Sequence, residues 1–141
     1  MIVNTAYPFM IAKTPAANPN LFENGVSNYQ TAFTNASLDA SGLSLQNSGK
    51  ASFYSIPLSN FSILNFSGVT VGFSSGKVWI AILDTNGDEI YRSNFFELNK
   101  SSAGASYRKF TIPEQYRQDG YGIQFITTSN RATIYSASLS V

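Results

Sequence analysis

The sequence predicts an all-β fold, an antiparallel sandwich or barrel, and three observations carry that prediction. Short runs rich in Val, Ile, Phe, Tyr and Thr recur at intervals of about 8–12 residues, the spacing of all-β domains. Turn signals divide them, among them Asn24-Gly25, Asn47-Ser48-Gly49, Ser74-Ser75-Gly76 and Asn86-Gly87. No segment has helical period, and a parallel sheet would need crossover connections of about a dozen residues, for which there is no room. The 141 residues suit one domain with a core of its own.

Taken in order, residues 1–19 read as an extended N-terminal arm and 20–141 as the β domain. The arm carries Pro8, Pro15 and Pro19, which rule out a long helix and disfavour a central strand. It is nevertheless apolar, through Ile2, Val3, Tyr7, Phe9, Met10 and Ile11. These six are candidates for docking on a partner, set against simple packing along their own domain. Leu21-Phe22 then leads into the Asn24-Gly25 turn. Gly42 to Gln46 alternates apolar and polar, the mark of a strand buried on one face. Ala51 to Ile56 is a second strand stopped by Pro57, and Phe61 to Phe66 a third, apolar nearly throughout. Val69, Val71 and Phe73 alternate with Thr70 and Gly72. The strongest local signal is a hairpin at 77–96, where Asn86-Gly87 supplies the positive φ that a tight turn between strands requires. Tyr107–Ile112, Tyr121–Thr127 and Ala132–Val141 complete about eight to ten strands.

Composition narrows the chemistry. The chain has no His and no Cys, but 11 Phe, 8 Tyr and one Trp. Ser-His-Asp and Cys-His nucleophilic sites are therefore excluded. No glycine-rich phosphate motif is present. Charged residues make up 12% of the chain, about half the usual ~25%, and the nine Lys and Arg are scattered, which argues against nucleic acid as a partner. No apolar run is long enough for a membrane helix, and the N-terminus lacks the basic start of a signal peptide.

The eight carboxylates gather only at Asp84, Asp88 and Glu89, on a turn where Asp is favoured for its bonds to the backbone. A glycosidase pair there is not expected. Asp84, Asn86 and Asp88 match the first ligands of a calcium loop, but Glu89 and Phe95 occupy the positions that need glycine and a bidentate glutamate. We therefore expect no catalytic residue, no metal and no cofactor. Aromatics are the better candidates for binding, since Tyr and Trp pair an apolar body with a polar tip. Tyr91, Tyr116 and Tyr121 sit beside turns and are expected to be exposed. Trp79 lies in Val78–Leu83, apolar on both faces, and is expected in the core more than on a binding surface.

The runs YSIPLSNFSILNFSG, KVWIAILDTNGDEIYR, YRKFTIPEQYRQDGYGIQF and ATIYSASLSV, with the opening phrase NPNLFENG, resemble carbohydrate-binding-module-like jelly rolls, over residues 18–141. A compact, His- and Cys-free copy of such a domain looks like a virion protein of a tailed bacteriophage. That resemblance implies a jelly-roll β-sandwich acting by protein–protein docking as a tail, head-fibre or capsid-decoration component. It also implies virion localisation after synthesis in the host cytoplasm, capsid or tail proteins as partners, and a homo-oligomeric state. The alternative is a module that recognises host cell-surface or cell-wall polysaccharide. A hydrolase ranks last.

Overall fold

Two sheets face each other across a core of aliphatic and aromatic side chains, and one long strand belongs to both. In this computed structural model, which describes residues 17–141, a small hairpin of β1 (Phe22–Glu23) and β2 (Val26–Ser27) precedes β3 (Gln30–Asp39) and β4 (Gly42–Pro57). There follow β5 (Ile63–Val71), β6 (Gly76–Leu83), β7 (Glu89–Arg92), β8 (Phe96–Leu98), β9 (Ser106–Thr111), β10 (Asp119–Ile126) and β11 (Arg131–Ser140). The strands run in the order β7-β6-β10-β4-β11-β5-β9, with β3 along β4 and β8 along the start of β6.

The register shows how this path makes two layers. Lys50–Pro57 of β4 pair with β10, whereas Leu43–Leu45 pair with β11. Between them the strand bends. Ser48 takes φ 55, and the Thr127 hydroxyl donates to the Gln46 carbonyl at 2.6 Å while accepting the Gly49 amide at 3.0 Å. Asn35 in the neighbouring β3 takes φ 48 at the same level, which Asn tolerates better than most residues. Bulges of this kind turn a strand out of one sheet and into the other. The first sheet is thus β3-β4-β10-β6-β7 and the second β3-β4-β11-β5-β9.

The core lies between them. Phe53 and Phe125 are fully buried and meet edge-to-face at 6.2 Å; Phe66 stands edge-on to Phe125 at 5.7 Å and to Phe96 at 5.2 Å. Such T-shaped contacts suit the ring quadrupole and add about 0.5–1.5 kcal/mol per pair beyond burial.

The sequence expectation of an antiparallel sandwich holds, with differences in detail. The two strands expected at 42–46 and 51–56 are one strand of 16 residues, because Asn47-Ser48-Gly49 bends the chain without reversing it. β5 runs unbroken through Ser67-Gly68. β3, QTAFTNASLD, has no counterpart in the sequence reading. It lies along β4 alone and exposes one face, so its only apolar signal is Phe33, Ala36 and Leu38 packed on the core. Residues 1–16, with the docking candidates Ile2, Val3, Tyr7, Phe9, Met10 and Ile11, lie outside the described residues. From Pro19 onward the chain follows β11, with the Leu139 amide donating to the Pro19 carbonyl.

Candidate functional site

Side chains alternate along a strand, so the core assigns the outer faces. Val78, Ile80 and Ile82 of β6 belong to the core; Trp79, Ala81 and Leu83 therefore face outward. By the same alternation Lys50, Ser52 and Tyr54 of β4 face outward, as do Gln124 and Ile126 of β10. The register sets them in rows across the first sheet: Lys50–Ile126–Trp79, then Ala32–Ser52–Gln124–Ala81–Arg92, then Gln30–Tyr54 and Gly122–Leu83–Glu89. Five strands at ~4.8 Å spacing make a face about 20 Å wide.

The middle of this face is built from small or flat groups. Gly122 is required there, because a Cβ on it would meet the Phe53 carbonyl oxygen at 2.5 Å. Ala81 is fully buried although it points away from the core, as are its outward neighbours Leu83 and Ile126. Arg92, opposite Ala81, forms a bidentate pair with Glu89, with Nε to Oε2 at 2.8 Å and Nη2 to Oε1 at 2.7 Å. Their side chains keep 39% and 32% of their surface exposed, so the pair can still meet a ligand. The Arg92 hydrogen bond holds the Glu89 carboxyl below the usual range, and the nearby charge of Lys50 adds to the effect. Next along the row, the Gln124 amide donates to Ser52 Oγ at 2.8 Å, which leaves its carbonyl oxygen available.

Aromatic rings flank this polar row. Trp79 is half-buried, edge-on to Phe95 at 6.3 Å, with the Lys77 ammonium 4.3 Å from the Phe95 ring centre. At the other end Tyr54 borders a cavity of about 300 Å³ shared with Gln30, Ser55 and the hairpin tip Thr85–Gly87. That tip is rigid: Asp84 Oδ1 accepts the amides of Asn86 and Asp88 at 2.9 and 3.0 Å. The calcium-like spacing of Asp84, Asn86 and Asp88 thus serves the turn.

Three of the four aromatic candidates from the sequence point elsewhere. Tyr91 lies opposite the core residue Ile82, so it turns inward and packs on Phe110 at 6.2 Å and on Tyr116 at 5.2 Å. Tyr121 lies opposite Ile56 and packs on the core likewise, as does Tyr116. The expectation that these tyrosines are exposed is corrected: strand register turns Tyr91 and Tyr121 toward the core, Tyr116 packs there from the 3-10 turn Glu114–Tyr116, and all three are half-buried. Trp79 is corrected the other way. It was expected in the core and stands on the outer face, since Arg92 and Phe95, not a third layer, cover that side of β6. Sequence reasoning missed Tyr54, Glu89, Arg92, Gln124 and Lys50. The alternation of Lys50, Ser52 and Tyr54 signals one outward face, but only the register brings the other three beside it.

No protein-family model and no curated protein sequence matches the chain. Solved structures do. A family 29 carbohydrate-binding module from Piromyces equi superposes with TM-score 0.56 at 16% identity, over 86% of this chain and 89% of that one. The C-terminal family 22 carbohydrate-binding module of Clostridium thermocellum Xyn10B, studied for the role of its cleft in ligand binding, gives 0.53 at 17% identity over 90% and 97%. A Clostridium stercorarium module, CsCBM6-3, solved in complex with cellobiose, gives 0.50 at 13% over 80% and 88%. The fold is therefore a jelly-roll β-sandwich of the kind found in carbohydrate-binding modules. None of the three is a virion protein.

Proposed function

We propose that this chain is a non-catalytic carbohydrate-binding module that holds a polysaccharide across the outer face of its first sheet. The observation that carries the reading is the row Ser52–Gln124–Ala81–Arg92, with Glu89 clamped to Arg92, between the rings of Trp79 and Tyr54. A sugar ring offers an apolar C–H face and a belt of hydroxyls. Trp79 and Tyr54 meet the first; Arg92, Glu89, Gln124 and Lys50 meet the second, as donors and acceptors. The bidentate pair fixes Glu89 before the ligand arrives, which lowers the ordering cost of binding. The likeness in fold to carbohydrate-binding modules supports this reading over the virion-docking expectation, whose residues lie outside the described part of the chain.

Affinity electrophoresis and calorimetry on a panel of soluble β-glucans, xylans and mannans test the proposal. We expect saturable binding to at least one of them. Trp79→Ala should weaken it about 30-fold, the effect of losing an aromatic anchor worth ~2 kcal/mol, with the melting temperature little changed. Failure to bind any of the panel, or binding indifferent to both Trp79→Ala and Tyr54→Ala, overturns the assignment of this face. Release of reducing sugar by the purified protein overturns its non-catalytic character.

A further inference from the structure

The outer face of the second sheet carries a different set of groups. Phe66, Leu64, Ala137 and Leu139 are core residues, so Ser67 and Asn65 of β5 and Ser136 and Ser138 of β11 face outward. The edge strand β9 adds Tyr107 opposite Ser67 and Lys109 opposite Asn65. Asn65, Tyr107, Lys109, Ser136 and Ser138, with Phe66 and Arg108, line a cavity of about 240 Å³, and Ser67 lies beside it, bonded to Ser136. Its floor is made of short polar side chains already bonded to one another. Ser67 and Ser136 share a hydrogen bond of 2.7 Å, and the Asn65 amide donates to Ser140 Oγ at 3.0 Å. Tyr107 stands over this floor with 78% of its surface exposed. Among the described residues, its ring stacks on no other aromatic side chain.

The charges here are of one sign. No carboxylate lines the cavity. The Arg108 guanidinium donates to two backbone carbonyls, of Glu97 at 3.0 Å and Tyr107 at 2.9 Å. Arg108 lies opposite the core residue Phe66, so its guanidinium turns to the other side of the sheet, away from Tyr107 and Lys109. Lys109 is exposed, and among the described residues the one ion pair is that of Arg92 with Glu89, on the other sheet. A free ring, a hydroxyl and amide floor and one cation with no carboxylate beside it thus converge on one concavity.

We infer that this groove is a second sugar-binding site, selective for an anionic sugar unit bearing carboxylate or sulfate. The Tyr107 ring takes the C–H face of the sugar, Asn65 and Ser138 its hydroxyls, and Lys109 its charge. This site goes beyond the proposed one and does not depend on it, because the two lie on opposite faces. A single lysine is too little for a nucleic-acid backbone, which calls for a clustered basic face.

The test uses the intact chain with polygalacturonate, a sulfated galactan and neutral galactan, in calorimetry at low salt. Binding to one or both acidic polymers, at least ~10-fold tighter than to neutral galactan, is expected. It should weaken at least ~5-fold in 1 M salt, where the Debye length falls to ~3 Å. Tyr107→Ala should abolish it. Lys109→Gln should weaken acidic-polymer binding several-fold at unchanged melting temperature, and Trp79→Ala should leave it intact. Which acidic polymer binds identifies the anion as carboxylate or sulfate. No binding to either, equal binding to neutral galactan, indifference to Tyr107→Ala and Lys109→Gln, or loss in Trp79→Ala overturns the inference. The last outcome would place the acidic ligand on the first sheet. Equal capture of single-stranded DNA would reduce the groove to a general anion surface and overturn it too.

Discussion

The two outer faces of the sandwich share one strand and one core, yet they are finished differently. On the first sheet, the outward Ala81, Leu83 and Ile126 are buried, and the charges of Arg92 and Glu89 are matched. On the second, short side chains leave the floor open, the exposed ring stands at the edge, and Lys109 has no carboxylate beside it. A pleated sheet imposes the same alternation on both. What separates them is the length and charge balance of the outward residues, and this sets whether a face suits neutral or anionic partners.

That contrast breaks most completely at what the faces share. Phe125 touches both Phe53 and Phe66 across the core. Phe125→Ala should cost ~3–5 kcal/mol of stability, read as a large fall in denaturant midpoint, and should weaken ligands of both faces together. A loss confined to one face would show that the sheets hold their shapes independently.

A smaller effect sharpens the role of the matched pair. Arg92→Lys keeps the charge and removes the fork that grips Glu89 through two bonds. We expect about a tenfold loss for a neutral glycan, ~1.4 kcal/mol, and no change for an acidic polymer on the second sheet. Since both partners are about a third exposed, their pairing adds at most ~1 kcal/mol to folding, and the melting temperature should barely move.

The smallest effect is with pH, and it differs in kind between the faces. Glu89 is held below the usual carboxylate range by Arg92, so the pair is intact above ~4.3 and is lost as pH falls through the lowered value. Binding on the first sheet should be flat from pH 8 down to the ordinary carboxylate range and decline only below it. On the second sheet the decline should track protonation of the ligand's own carboxylates, and a sulfated ligand should show none. Titrating each polymer in calorimetry separates the two cases.

The fold was largely legible in the sequence. The hairpin at 84–88 forms where Asn86-Gly87 marks it, with Gly87 at φ 84, and the separate apolar runs became strands. The site was not legible, for a reason shared by Trp79 and Tyr91. Both lie in short apolar stretches where composition does not distinguish in from out. Pairing with Ile126 sets Trp79 on the outer face, and pairing with Ile82 sets Tyr91 inside. Ile126 comes from a distant part of the chain, and Ile82, though it lies just across the hairpin, meets Tyr91 only through a register shift between Ile82 and Leu83. A one-residue slip would exchange the faces. β3 was missed because a lightly apolar edge strand leaves little periodic signal.

The place of β11 bears on how the molecule is made. It slots between β4 and β5, two strands that leave the ribosome well before it does. Until it arrives, both present unpaired amides and carbonyls to whatever lies nearby. Closure therefore waits for late synthesis and a long-range search, the topology that folds slowly and aggregates readily when crowded. Production of this chain should respond to cooling and to holdase chaperones more than to any change made on either outer face.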